Sequence, residues 1–419
     1  MGYLRGKHLW FLLVLLSMAG CEVSNILRMR YANDHLAPIW SAGVNRQQLQ
    51  LTSLGEKPYL EVEVTTTQGQ VRKLLMLIDT GAGISVLFDS DKVQGLTLPV
   101  GFTLPVYGWG DEKASQGYQT EVAQLRMGDV HFKQVKLAMI PARQSRYFLR
   151  QDELDYDGII GHDLLKHFSW TFDKPAGQLT MRATAYQPQP GDIMLPMAES
   201  FSKISVPATV VFNAKQQVTQ PLTIDTGSRH YLKLNTAYVE GAGINLPKAQ
   251  VTAADFGLSG RTVHQRINVE QLQLGSLQLG PVKANVIPSD DEDDWWILGN
   301  ALLNQFVMTI DYHSMQLYLR PQPGQPFRTL YNLPGLELRK LTDGAFVVRY
   351  VFPNLPAASS GLSEGDIIVQ MNQQPAAQIS EAAWLALANQ RGLMTLCTAK
   401  TCVQLDNQPI AGYSAPASR

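Results

Sequence analysis

Apolar and polar positions alternate with period two along most of the chain. YLEVEVTT at 59–66 alternates, and a Gln-Gly-Gln turn returns it into KLLMLID at 73–79. ISVPATVVF at 204–212 stands in the same relation to PLTID at 221–225. VAQLRMGDVHFKQVKLAMIP at 122–141 alternates around Gly-Asp, and VEQLQLGSLQLGPVKANVIP at 269–288 repeats that form. Such alternation predicts strands with one buried face, and each of the last two stretches reads as a hairpin followed by another strand. Only short helices fit, near 163–168 and 301–306. The pattern is that of a mainly β chain.

The pattern also repeats. LLMLIDTGAGISVLF (74–88) and LTIDTGSRHYLKL (222–234) each set an apolar strand directly before Asp-Thr-Gly. Downstream, DGIIGHDLLKHFSWTFDKPAGQLTM (157–181) and WILGNALLNQFVMTIDYHSMQLYL (296–319) share two apolar residues and Gly, an LL helical segment, a strand, a turn and a strand. The spacing from Asp79 to Gly161 is 82 positions, and from Asp225 to Gly299 it is 74. Two long patterns in one order at similar spacing indicate two related lobes.

Composition narrows the class. The 419 residues are 45% hydrophobic and 17% charged, with a net charge of -1. That describes an ordinary globular chain with no basic face for nucleic acid. Three cysteines are too few for a four-thiolate zinc site or a cysteine-rich scaffold. The expected divisions are 1–20, a signal peptide; 21–50, a linker or N-terminal extension; 51–190 and 191–328, the two lobes; 329–409, a third domain; and 410–419, a tail.

At the N-terminus, Arg5 and Lys7 precede the apolar run LWFLLVLL at 9–16, which is too short to span a bilayer. Met18-Ala19-Gly20-Cys21 follows and resembles the lipobox of bacterial lipoproteins. The resemblance implies cleavage before Cys21, its lipidation, and a membrane-anchored protein of the bacterial envelope facing the periplasm. Glu22, where an Asp would favour inner-membrane retention, leans towards the outer membrane. The bland reading is a cleaved signal with a chance cysteine. LCTAKTCVQL at 396–405 reads as a hairpin that sets Cys397 and Cys402 opposite one another. An oxidising compartment favours a disulfide there over two free thiols.

A strand, Asp-Thr-Gly and a later apolar-apolar-Gly block, all present twice, resemble the pepsin-like and retropepsin-like aspartic proteases. The resemblance covers about residues 50–322 and implies one shared site, with Asp79 and Asp225 catalytic. Thr80, Gly81, Thr226, Gly227 and Ser228 would support the two loops. Two close carboxyls cannot both ionise at little cost, so the pair would share a proton, activate water and attack a peptide bond. Neither cofactor nor metal is needed. Ser228 is placed to donate towards a carboxylate, which Ala82 cannot do. The expected optimum is roughly pH 4–6, by extension from the known acid proteases. GWGDEKASQGY (108–118) and FGLSGRTVHQ (256–265) sit where flaps belong, with Trp109 and Phe256 as candidate substrate contacts. DDEDD at 290–294 reads as a solvated loop rather than a calcium site. Arg229-His230-Tyr231 is bulky where the first lobe has Gly83-Ile84-Ser85.

GAFVVRYVFPNLPAASSGLSEGDII (344–368) resembles the bacterial PDZ pattern, with ISEAAWLALANQ (379–390) as the groove helix. The resemblance implies an extended peptide ligand added to a strand edge, with Phe346 and Val348 as candidate groove positions. GLSEG at 361–365 lies in a turn and not a strand-to-helix elbow, so Ser363 is rejected as a nucleophile. The expected partners are therefore a polypeptide substrate, a peptide at the PDZ-like groove and the membrane. The competing reading is a non-catalytic peptide-binding lipoprotein scaffold with a degenerate protease fold.

Overall fold

The computed structural model describes residues 24–413, apart from 107, 114, 155, 292 and 293. The signal segment 1–20, Cys21 and most of the tail lie outside the described residues. Two large sheets carry the two repeats. In the first, Gly158–Ile160 pairs parallel with Val71–Ile78, the strand that leads into Asp79, and antiparallel with Val86–Phe88. In the second, Ile297–Gly299 pairs parallel with Gln216–Asp225 and antiparallel with Leu232–Asn235. Each of the strands after Asp-Thr-Gly then pairs parallel with a further strand, Val130–Ile140 or Val282–Ile287. The shared sequence pattern therefore has a shared strand register.

The long outer hairpins differ. In the first sheet, Ser115–Met127 and Val130–Ile140 form one long ladder. In the second, the short hairpin Gln271–Leu274 with Leu277–Leu279 intervenes before Val282–Ile287. Within the two repeats the helices are short, as the pattern predicted, at His162–Leu165 and Asn300–Leu303, with two more at Asp91–Gln94 and Thr236–Gly241.

A six-stranded sheet ties the repeats together. Ser169–Asp173 pairs with Phe306–Asp311 antiparallel, joining the closing hairpin of one repeat to that of the other. Its far edge is Arg46–Gln50, which pairs with Gln178–Arg182. Residues 24–50 are thus an extension built into the fold and not a linker. Residues 24–34 are helical, Ile39–Trp40 extends the first sheet, and Asn33 donates to the buried Asp163 at 2.7 Å. The segment thus supplies an edge strand to the first sheet and another to the six-stranded sheet.

One continuous apolar core runs from Val62, Leu74 and Phe132 through Phe168 and Trp170 to Leu222, Leu298 and Ile310. Fully burying side chains of this size contributes about 1.5–3 kcal/mol each. Trp170 also keeps its indole N–H satisfied, donating to the Leu165 carbonyl at 2.8 Å.

The C-terminal module has its own core. Leu336–Lys340, Phe346–Val351 and Ile367–Ile368 form one sheet, and Gln370–Met371, Gln374–Pro375, Gly392–Cys397 and Cys402–Asn407 form another. The helix Glu381–Ala388 is capped by Ser380, whose hydroxyl accepts from the Ala383 amide at 3.1 Å. Cys397 and Cys402 face each other across the last hairpin and are joined by a disulfide. Phe346 and Val348, expected in a groove, are instead wholly buried among Leu336, Ile368 and Trp384. Alternation alone did not fix their face. The edge strand is Leu336–Lys340, where Leu154 donates to the Lys340 carbonyl at 3.2 Å. Among the described residues, no helix is long and apolar enough to cross a membrane.

Candidate active site

Asp79 and Asp225 end the paired apolar strands, and both are half-buried at the floor of one cleft of about 380 Å³. The loops that carry them are held together by their threonines. The Thr80 amide donates to the Thr226 hydroxyl at 3.0 Å, and the Thr226 amide donates to the Thr80 hydroxyl at 3.1 Å. Each hydroxyl donates in turn to a backbone carbonyl of the opposite repeat, Ile224 or Ile78, both at 2.7 Å. All four groups are buried, where an unpaired donor or acceptor would cost about 1–3 kcal/mol.

The glycines let the carboxyls approach. A Cβ on Gly81 would lie 2.6 Å from the Asp225 carboxyl, and one on Gly227 would lie 2.4 Å from that of Asp79. Each glycine also donates its amide back to its own aspartate, Gly81 to Asp79 at 2.7 Å and Gly227 to Asp225 at 2.9 Å. Ala82 adds a second amide to Asp79 at 3.1 Å. Among the described residues, the Ser228 hydroxyl donates to no carboxylate. It accepts from the His230 amide at 3.3 Å and so shapes the loop.

Burial, and then the charge of Asp225, push the Asp79 pKa up to about 7, against the opposing pull of Lys203 and Lys57. A carboxyl so placed keeps a proton through the acidic range. Lys57, from the strand Lys57–Thr65, lies in the same cleft, and burial with help from Arg229 brings its pKa down to about 8.

Two hairpin tips close over the cleft and grip one another. The Gly108 amide donates to the Ser259 hydroxyl at 3.0 Å, and the Ser259 amide donates to the Trp109 carbonyl at 3.1 Å. Glu112 donates to the Ser259 carbonyl at 2.7 Å. Trp109 and Phe256 both line the cleft, and both also brace the hairpins. Trp109 sits edge-on to His230, with ring centres 5.3 Å apart, and Phe256 meets Tyr147 edge-on at 5.6 Å.

The bulky residues after the second Asp-Thr-Gly have specific places. Arg229 forms an ion pair with Glu337 of the C-terminal module. His230 lies 3.2 Å from Asp255, which also meets His264 at 3.2 Å and Arg266 at 3.1 Å. Burial opposes the charge of Asp255, but Arg266, and then His230, hold it well below the usual carboxylate range. Burial brings His264 down to about 3, so it is neutral. The Tyr231 hydroxyl accepts from the Leu330 amide at 2.9 Å. Their bulk after Asp-Thr-Gly was the sequence signal, but their partners were not legible. In the acidic 290–294 loop, Asp294 pairs with Lys233 at 3.3 Å. Among the described residues, no three His, Cys, Asp or Glu side chains are grouped as for a metal ion.

Comparison with known proteins finds two families along the chain. Residues 62–164 match the family described as aspartyl protease, and residues 332–397 match the PDZ domain. Among solved structures, the aspartic proteinase from Irpex lacteus is similar at 14% identity and a TM-score of 0.43, over 66% of this chain and 98% of that one. No curated protein matches the chain. The chain carries an aspartyl-protease-like domain followed by a PDZ domain.

Proposed function

We propose that this chain is a two-lobed aspartic endopeptidase that hydrolyses peptide bonds through water activated between Asp79 and Asp225. The observation that carries the reading is the paired glycine geometry, in which each Asp-Thr-Gly loop leaves space at its glycine for the carboxyl of the other. The pair shares one proton, held on Asp79, where burial and the neighbouring charge favour the neutral form. The partner carboxylate takes a proton from water as that water attacks the amide carbon. Asp79 donates to the carbonyl oxygen, and the tetrahedral intermediate then collapses with proton transfer to the leaving nitrogen. Thr80 and Thr226 hold the loops in register and do not react. The two hairpin tips cover an extended peptide and must part to admit it.

The same reading makes the PDZ domain a peptide-binding module for substrate or partner, and Cys21 the lipid anchor of an envelope protein facing the periplasm. Cleavage of a peptide library by the purified protein tests the chemistry. Wild type cleaves, while Asp79→Asn and Asp225→Asn each lose at least about 100-fold in kcat/KM, the lower end of what general acid–base catalysis supplies. Equal cleavage by a folded D79N protein rules the mechanism out. Labelling with a fatty acid that marks wild type but not Cys21→Ser tests the anchor.

A further inference from the structure

One cation in the cleft comes from the PDZ domain. Leu338 pairs with Val348 and Glu337 with Tyr350, so Arg349 is an extra residue between them, a β-bulge. A bulge turns its residue out of the alternation and re-aims the side chain. Here the side chain enters the cleft beside Phe256 and Trp109. Its guanidinium lies 3.7 Å from the centre of the Phe256 ring and donates to the Tyr147 carbonyl at 2.9 Å.

Among the described residues, Arg349 forms no ion pair. It is only 9% exposed, and its Nε is buried without an acceptor. The carboxylates whose charge reaches Arg349, Glu153 and Glu337, each form an ion pair with another arginine. Glu337 is paired with Arg229, and Glu153 is paired with Arg339 at 3.0 Å while accepting the Leu149 amide at 2.8 Å. Lys57 lines the same end of the cleft and, among the described residues, makes no ion pair. Burial and Arg339 bring the Arg349 pKa down to about 9, so it stays charged in the acidic range. Leaving a buried cation unpaired costs several kcal/mol, and a ligand carboxylate would remove that cost.

We propose that Arg349 and Lys57 form a carboxylate-binding subsite of the cleft, one that selects peptides presenting an acidic side chain or a free C-terminus near the bond to be cut. The PDZ domain thereby supplies a specificity residue to the protease cleft. The proposal rests on the endopeptidase reading for the identity of its occupant as a peptide.

The test uses the full chain carrying Asp79→Asn, so that peptides bind without turnover. Binding is measured for matched peptides with Asp or Glu against Asn or Gln at each position, and with a free C-terminus against an amide. At one position the carboxylate form should bind at least about 10-fold more tightly, the worth of one charged hydrogen bond. That ratio should fall close to one with Arg349→Met added, and survive in part with Arg349→Lys. Which pair of peptides shows it separates a side chain from a chain terminus. Arg349→Gln, which keeps a donor for Tyr147, serves if R349M does not fold. A ratio near one before any change at Arg349, an unchanged ratio after it, or no peptide binding at millimolar concentration overturns the subsite. Wild-type cleavage of the same peptides is scored separately. Carboxylate-dependent binding without cleavage sinks the peptidase reading alone, and cleavage without carboxylate preference sinks the subsite alone.

Discussion

Thr80 and Thr226 exchange backbone-to-hydroxyl hydrogen bonds at 3.0 and 3.1 Å, across 146 positions of sequence. The exchange fixes two loops from two repeats in one frame, which neither loop achieves through its own strand. Thr226→Ala removes one hydroxyl and leaves the Thr80 amide and the Ile78 carbonyl without it. Both lie where water does not reach, so the expected loss is about 1–3 kcal/mol of stability. Urea unfolding measures it. Peptide cleavage should fall as well, because the carboxyls lose their shared frame. Wild-type stability in T226A would mean that the loops are held by the sheets alone.

Gly110 has φ +144, and a Cβ there would lie 2.0 Å from the Ser259 carbonyl oxygen of the opposite hairpin. Gly110→Ala therefore strains its own backbone, at about 1–3 kcal/mol, and pushes the two tips apart. The core beneath is untouched. The expected result is a near-normal melting temperature with a raised KM for peptide. A melting temperature lowered by many degrees would show that the tips are part of the global fold.

Much of this was legible in the sequence, because two strands before Asp-Thr-Gly and two apolar-apolar-Gly blocks repeat at similar spacing. The repeated register of Gly158–Ile160 and Ile297–Gly299 follows that repetition. Alternation gives a strand but not its neighbour, and so 21–50 reads as either a linker or an extension, although Arg46–Gln50 edges the central sheet. It also left the face of Phe346 and Val348 open, and the structure buries both. The bulge at Arg349 was invisible for the same reason, since a bulge exists only relative to a partner strand. Lys57 and the Asp255 cluster carry no motif. Their place depends on which hairpin folds over which loop.

Glu337 and Arg229 join the PDZ domain to the second Asp-Thr-Gly loop. Glu337→Gln leaves Arg229 without its anion in a largely buried place. Breaking a buried pair costs about 3–5 kcal/mol, and the 30% exposure of the Arg229 side chain lowers the expectation to roughly 2–4 kcal/mol. Chemical unfolding of the whole chain measures it, and Arg229→Met combined with Glu337→Leu should recover much of the loss. The PDZ resemblance implies a peptide-binding role for the C-terminal domain. This contact makes it part of the stability of the whole chain as well, which a neutral effect of E337Q would disprove.

The last prediction concerns pH. Burial and the charge of Asp225 raise the Asp79 pKa from 3.8 to about 7. In the unfolded chain Asp79 loses its proton near 3.8, whereas in the folded chain it keeps it to about 7. Between those values the native state binds more protons than the unfolded state, so stability falls as pH rises. The contribution is complete below the unfolded pKa and is lost as pH passes the folded one. Asn at this position keeps an acceptor for the Gly81 and Ala82 amides and has no proton to lose. Melting temperatures of wild type and D79N should therefore diverge with pH, with D79N gaining on wild type from pH 4 to pH 8. Activity should follow the same group. Cleavage should hold through the acidic range and decline as pH rises through about 7, where Asp79 gives up the proton that the carbonyl oxygen needs. That places the upper limb above the pH 4–6 expected from sequence. Parallel melting curves for the two proteins across that range would show that Asp79 titrates alike in both states, and the proposed protonation would then fail.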